Sequence, residues 1–133
     1  MDESVDEYLL YMQKMACAFV DKGKALSLFA KRMSKVVIFG NGDNGKDAYW
    51  ILTRSGLSDR VVAFCDNNPN TDKINDDIDV MDVAMAVEKY KDAGFIVASL
   101  YWADIMKKQI MKLGVKRNKI YTYKVTLPEW LIM

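Results

Sequence analysis

The sequence predicts an α/β fold built on a parallel sheet, and three observations carry the prediction. From Lys35 onward, short β-branched runs alternate with stretches of helical period. The first run, Val36-Val37-Ile38-Phe39, ends abruptly in Gly40-Asn41-Gly42-Asp43-Asn44-Gly45-Lys46. A second, Val61 to Cys65, ends in Asp66. Strands that alternate with helices need crossover connections, which lay helices on both faces of a parallel sheet.

The elements follow in order. Between Ser4 and Val20 the apolar residues Tyr8, Leu9, Met12, Met15, Ala16, Phe19 and Val20 recur at three- and four-residue steps, which predicts an amphipathic helix. Ser4 with Glu7 makes a capping box at its start. Gly23 is expected to break it, with a shorter second helix over Ala25 to Met33 closing on Lys31-Arg32. The Met and aromatic stripe reads as packing surface. Strand one is Val36–Phe39, followed by a helix from about Lys46 to Ser55 that stops at Gly56. Strand two is Val61–Cys65, and Asp66-Asn67-Asn68-Pro69-Asn70-Thr71 carries every mark of a loop. Asp79–Met81 suits a short extra edge strand and Val83–Tyr90 a helix. Strand three is Phe95–Ala98, a helix spans Ala103–Leu113 up to Gly114, and strand four is Ile120–Tyr123.

Right-handed crossovers then order the four strands 2-1-3-4, with the carboxyl ends of strands one and three flanking a crevice. The last two helices share one sheet face and the first crossover helix takes the other, which leaves room there for the N-terminal helices. The expected organisation is a helical extension over 1–34, a three-layer domain over 35–124 and an apolar tail over 125–133.

Composition narrows the function classes. A chain of 133 residues supports one domain with a real core, and 51% hydrophobic with 28% charged residues is ordinary for a soluble globular protein. No apolar run approaches a membrane span, and the acidic opening Met1-Asp2-Glu3 lacks the basic start of a signal peptide. Cys17 and Cys65 read as core thiols, so the expected location is cytoplasmic, with no membrane partner. The absence of histidine excludes His-based acid–base catalysis and His-ligated metal sites, and no metal site is expected. Lys107, Lys108, Lys112, Lys116, Arg117, Lys119 and Lys124 form a basic stretch without an acid. With no aromatic residue interleaved among its helical lysines, it reads as a solvated helix face, and no nucleic-acid partner is expected.

The crevice residues carry the chemistry. In G-x-G-x-x-G the first glycine permits the turn, the second lets a phosphate approach the backbone, and the third lets helix and strand pack closely. N–H groups at the helix start then face an anion with the macrodipole behind them. Asp66 stands about 20 residues beyond Gly45, where a carboxylate accepts hydrogen bonds from a ribose diol. The candidate binding residues are therefore Gly40, Asn41, Gly42, Asp43, Asn44, Gly45, Asp66, Asn67, Ser99, Tyr101 and Trp102. Asp43 repels a pyrophosphate unless it turns outward or caps the helix. Ser99 suits a cap or a phosphate contact, and Tyr101 with Trp102 suits stacking on a base or packing on a helix.

These segments together resemble a family of small Rossmann-like domains in bacterial surface-polysaccharide and sugar-modification proteins. Such domains stand beside FkbM-type methyltransferases and glycosyl- or phosphosugar-transferase domains, and a similar module opens the sugar-nucleotide acetyltransferases. The resemblance rests on Gly40 to Lys46, Gly56-Leu57, Val62 to Asn68, Ile96 to Ser99 with Tyr101-Trp102, and Ile105 to Gly114. The family's Gly-x-Pro-Val segment is replaced here by Asp77-Ile78-Asp79-Val80. The resemblance implies association with a nucleotide-containing small molecule, NAD(P) or a nucleotide sugar, and assigns no reaction. The rival expectation is a non-catalytic dimerisation or scaffold module that keeps the fold without a ligand. In either case the broad apolar face of the N-terminal helix and the tail Thr126 to Met133 predict a homodimer or docking to an adjacent catalytic domain.

Overall fold

The computed structural model of the chain describes residues 3–69 and 73–123. Its elements are α1 (Glu3–Met33), β1 (Val36–Phe39), α2 (Asp43–Arg54), β2 (Val61–Asp66), β3 (Val80–Asp82), α3 (Val83–Lys89), β4 (Gly94–Ala98), α4 (Ala103–Lys112) and β5 (Ile120–Tyr123). Single 3₁₀ turns, Ser58–Arg60 and Arg117–Lys119, precede β2 and β5. The five strands form one parallel sheet in the order β3-β2-β1-β4-β5. The four principal strands thus stand in the order expected, and the short edge strand adds a fifth beside β2, at Val80–Asp82.

Two apolar layers cover the sheet. Because strand side chains alternate between faces, Val37, Phe39, Ala63, Cys65, Phe95 and Val97 point to one side, where α3 and α4 supply Ala86, Val87 and Ile110. Val36, Ile38, Phe64 and Ile96 point to the other, against Ala48 and Leu52 of α2 and Leu26, Phe29 and Ala30 of α1. The central strands are buried on both faces, which is why β1 and β4 read as continuous apolar runs. Phe39, Phe64 and Phe95 are almost wholly buried, each stabilising the fold by about 1.5–3 kcal/mol.

The N-terminal segment differs from expectation. Gly23 does not divide it: α1 is one helix of 31 residues, about 46 Å long. Ser4 lies within its first turn rather than ahead of it. Gly23 is tolerated because packing on α2 outweighs the ~1 kcal/mol propensity cost of an interior glycine; a Cβ there would meet only Ile51 Cγ2, at 3.7 Å. The helix stops instead at Ser34, whose φ is 60°. Arg60 holds that end by donating from Nη1 to the carbonyls of Ala30 (3.3 Å) and Lys31 (2.9 Å), groups the helix itself leaves without partners. Among the described residues, the C-terminal part of α1 packs on the sheet, while Tyr8, Leu9, Leu10 and Met12 are exposed. The tail 125–133 and the side chains of Cys17 and of the Met15 to Val20 stretch lie outside what the structure describes.

Substituting glycines along the α1 contact should have opposite effects. A Cβ at Gly94 would lie 2.4 Å from Met33 Cγ and 2.9 Å from Phe29 Cζ. Gly94→Ala is therefore expected to cost about 1–3 kcal/mol by overpacking. Gly23→Ala, which meets open contact within a helix, should add about 0.5–1 kcal/mol. Urea unfolding of both variants checks the pair.

Candidate functional site

Close backbone packing shapes the β1–α2 loop. Gly40 extends the ladder, its N–H donating to the Cys65 carbonyl at 2.9 Å. Its φ is +116°, and a Cβ on it would lie 2.4 Å from the Ala98 carbonyl oxygen of β4. At Gly45 a Cβ would fall 1.9 Å from the Gly40 carbonyl oxygen. The first turn of α2 therefore sits directly on the end of β1, and no side chain fits between them. Gly42 differs: a Cβ there meets nothing within 4 Å. Its side faces open space.

The helix begins earlier than expected, at Asp43 rather than near Lys46. Gly42 is the cap residue, and no side chain caps it. Asp43 is consequently a first-turn residue, with its carboxylate at the positive end of the macrodipole, where such a charge contributes about 0.3–1 kcal/mol. Lys46 donates the first intrahelical bond, to the Gly42 carbonyl at 3.0 Å. The N–H groups of Asp43, Asn44 and Gly45 are left at the helix end without intrahelical partners.

Asp66 ties the end of β2 to this loop. Its Oδ2 accepts from the Asn41 N–H and its Oδ1 from the Asn68 N–H, both at 2.9 Å. The same carboxylate is thus a turn residue and a brace on the glycine loop. Ser99 Oγ accepts from the Trp102 N–H at 3.0 Å and so orders the turn before α4. Across the opening, Asn67 and Gln109 exchange two amide hydrogen bonds, Nδ2 to Oε1 at 3.0 Å and Nε2 to Oδ1 at 2.7 Å. This pair links the β2 loop to α4.

Between these groups lies a cleft of about 420 Å³ at the carboxyl ends of β1 and β4. Eight of the residues singled out in the sequence line it: Gly40, Gly42, Asp43, Asn44, Asp66, Asn67, Ser99 and Trp102. Three stand elsewhere. Asn41 is buried beneath the loop, Gly45 is packed under Gly40, and Tyr101 is 83% exposed, away from the lining. Trp102 alone of the aromatic pair reaches the cleft. Phe39, Ala98, Ile105, Met106 and Gln109 complete the wall. The α4 contribution was open to discovery, because Ile105, Met106 and Gln109 follow the Ser99 turn at spacings that share one helix side. Among the described residues, the lining contains two carboxylates, Asp43 and Asp66, and no lysine or arginine. Among these residues the groups that can attract an anion are backbone N–H donors at the start of α2.

Residues 32–121 match the family described as C2185-like, N-terminal. The chain belongs to that family. Among solved structures it is similar to the crystal structure of RSP, a Rex-family repressor, with 18% sequence identity and a TM-score of 0.53. The match covers 75% of this chain and 56% of that one, so the chain spans little more than half the length of this relative. The likeness supports a three-layer Rossmann-like fold. That relative is a repressor, so it gives no support to the expected absence of a nucleic-acid partner. No curated protein matches the chain. No helix among the described residues is long and apolar enough to cross a membrane.

Cys65 is fully buried one residue before the end of β2, paired with Phe39 of β1. Burial pushes its thiol well above the ordinary 9.0, and the nearby carboxylates of Asp66 and Asp82 push it further. The folded chain therefore keeps the proton while the unfolded chain loses it above about pH 9. Stability contributed by the neutral thiol is complete below that pH and falls by about 1.4 kcal/mol per further unit. Urea midpoints measured between pH 7 and 10.5 should drop more steeply for the natural chain than for Cys65→Ser.

Proposed function

We propose that the cleft binds a nucleotide-containing small molecule, with phosphate over Gly40 to Asn44 and a ribose diol on Asp66. One observation carries this reading. Gly42 opens to the cleft at the N-terminus of α2, while the glycines on either side are required by backbone packing alone. Gly42 thus leaves room for a ligand where a side chain would fit without touching the protein. Asp66 has one lone pair engaged on each oxygen by loop N–H groups, and each oxygen retains another for a hydroxyl. The two carboxylates and the lack of a cationic side chain favour an unphosphorylated ribose over a 2′-phosphate. Trp102, Ile105 and Met106 supply an apolar wall for a base or sugar. Dinucleotides such as NAD and nucleotide sugars both satisfy these terms, and a sugar-modification setting fits the second.

A second reading has its own support. Asp43 already supplies the helix N-terminus with an anion, and the Asn67–Gln109 bridge crosses the opening. Both suit a module that has kept the fold as a scaffold without a ligand.

A thermal-shift panel with NAD, NADP, UDP-sugars, CDP-sugars and S-adenosylmethionine separates the two. A ligand at 100 times its Kd should add about 2.7 kcal/mol to stability. Gly42→Val should abolish that gain with the fold intact, and Asp66→Ala should weaken NAD or a UDP-sugar by about 1.5–3 kcal/mol. A 2′-phosphorylated ligand should lose less than its unphosphorylated counterpart in the Asp66 variant. No shift with any member of the panel would favour the scaffold.

We further propose that the chain self-associates, or docks to an adjacent domain, through the N-terminal half of α1. Tyr8, Leu9, Leu10 and Met12 are each 45–61% exposed, within about one and a half turns. Light scattering should find a dimer that Leu9→Glu with Met12→Glu converts to monomer. A natural chain that is already monomeric leaves only the adjacent-domain form of the reading.

A further inference from the structure

A second and larger cavity, about 970 Å³, forms a groove between α1 and α2. Leu28 and Trp50 both line it and are 66% and 59% exposed. The Arg54 guanidinium lies over the Trp50 ring, 4.7 Å from its centroid. Among the described residues the cations of the groove are Lys24, Lys31 and Arg54, against one acid, Asp47. An exposed indole and leucine within a basic rim suit an apolar segment that brings acids with it.

The other end of the same helix has that chemistry. Asp6, Leu9, Leu10 and Gln13 are exposed there, and their spacing of i, i+3, i+4 and i+7 puts them on one side of α1. Lys24, Ser27, Leu28 and Lys31 repeat that spacing eighteen residues on, and all four line the groove. Eighteen residues are about five whole turns, so both quartets share one side of the helix. Reversing one copy of α1 against another about its midpoint, between residues 18 and 19, makes the quartets meet. Asp6 then stands opposite Lys31, Leu9 opposite Leu28, Leu10 opposite Ser27 and Gln13 opposite Lys24. Such self-complementarity is what a two-fold pair requires, because both copies present the same surface. Compensation of the helix's own dipole reaches only its end turns, so it accounts for Lys31 and not for Lys24 or the exposed leucines. The N-terminal half cannot fold back onto the groove of its own chain, since α1 is one continuous helix.

We propose that two copies of the chain pair antiparallel along α1, the N-terminal half of each lying in the α1–α2 groove of the other. Leu9 and Leu10 then cover Leu28 and Trp50, and Asp6 meets Lys31 once on each side of the two-fold axis. This pairing rests on the self-association proposed above and supplies the surface that receives it. Carbodiimide coupling, which joins a carboxylate to an amine only in direct contact, tests it on the full chain. Within one copy Asp6 and Lys31 stand about 37 Å apart along the helix, so a link between them forms only across two copies. Digestion and mass spectrometry of the band of doubled mass should find that link. Lys31→Glu, at an exposed position, should raise the dimer Kd by about fivefold or more in a light-scattering dilution series, with the far-UV spectrum unchanged. Asp6→Lys combined with Lys31→Glu should return it to within roughly twofold of the natural value. A dimer without the Asp6–Lys31 link, or one that Lys31→Glu leaves as tight as before, would overturn the pairing while self-association stands. A chain that scatters as a monomer at every concentration would overturn the pairing and self-association together.

Discussion

The approach of Gly45 to the Gly40 carbonyl is the constraint on which the rest of the structure depends. With a Cβ excluded at 1.9 Å, the first turn of α2 can rest on the end of β1 and no residue but glycine permits it. That seating sets the height of α2 over the sheet. It also aims the helix N-terminus at the crevice and leaves Gly42 at its lip. Gly40 performs the matching task toward β4, where the Ala98 carbonyl stands 2.4 Å from its would-be Cβ. The loop is therefore clamped between two strands, and the cleft is the space left outside it.

Asp66 extends that clamp to a third strand. A buried or half-buried carboxylate needs hydrogen-bond donors, and it finds them in the N–H groups of Asn41 and Asn68. The glycine loop, the end of β2 and the turn that follows are held together through one side chain. The same carboxylate faces the cleft, so bracing the fold and recognising a diol draw on one group. Asp43 adds a second negative charge, so among the described lining residues backbone N–H dipoles are what attracts an anion to the cleft.

The other face of the sheet is organised by α1. Its last three turns supply Leu26, Phe29, Ala30 and Met33 to the core, and Arg60 secures its final carbonyls. Glycine at 94 lets Phe29 and Met33 lie directly on the start of β4. Beyond this anchored part the helix continues with exposed aromatic and aliphatic residues, and beside it lies the groove shared with α2. Apolar surface on this side of the molecule exceeds what the described residues cover.

Local patterning determined most of the fold. Doubly buried strands must be apolar throughout, and crossover helices must alternate with them, so the β1–α2–β2 unit, the strand order and the two-faced layering were all legible. Most of the cleft lining was legible too, because glycines spaced G-x-G-x-x-G after one strand and an aspartate at the end of the next mark two of the loops that form it. Propensity misjudged Gly23 and Lys46, since packing on α2 outweighs an interior glycine and the Gly40–Gly45 contact starts the helix three residues early. Only the tertiary structure brought Gln109 to Asn67, separated Trp102 from Tyr101, and set both oxygens of Asp66 on backbone N–H groups. Those outcomes rest on distances between segments far apart in the chain, and no periodicity within a segment encodes them.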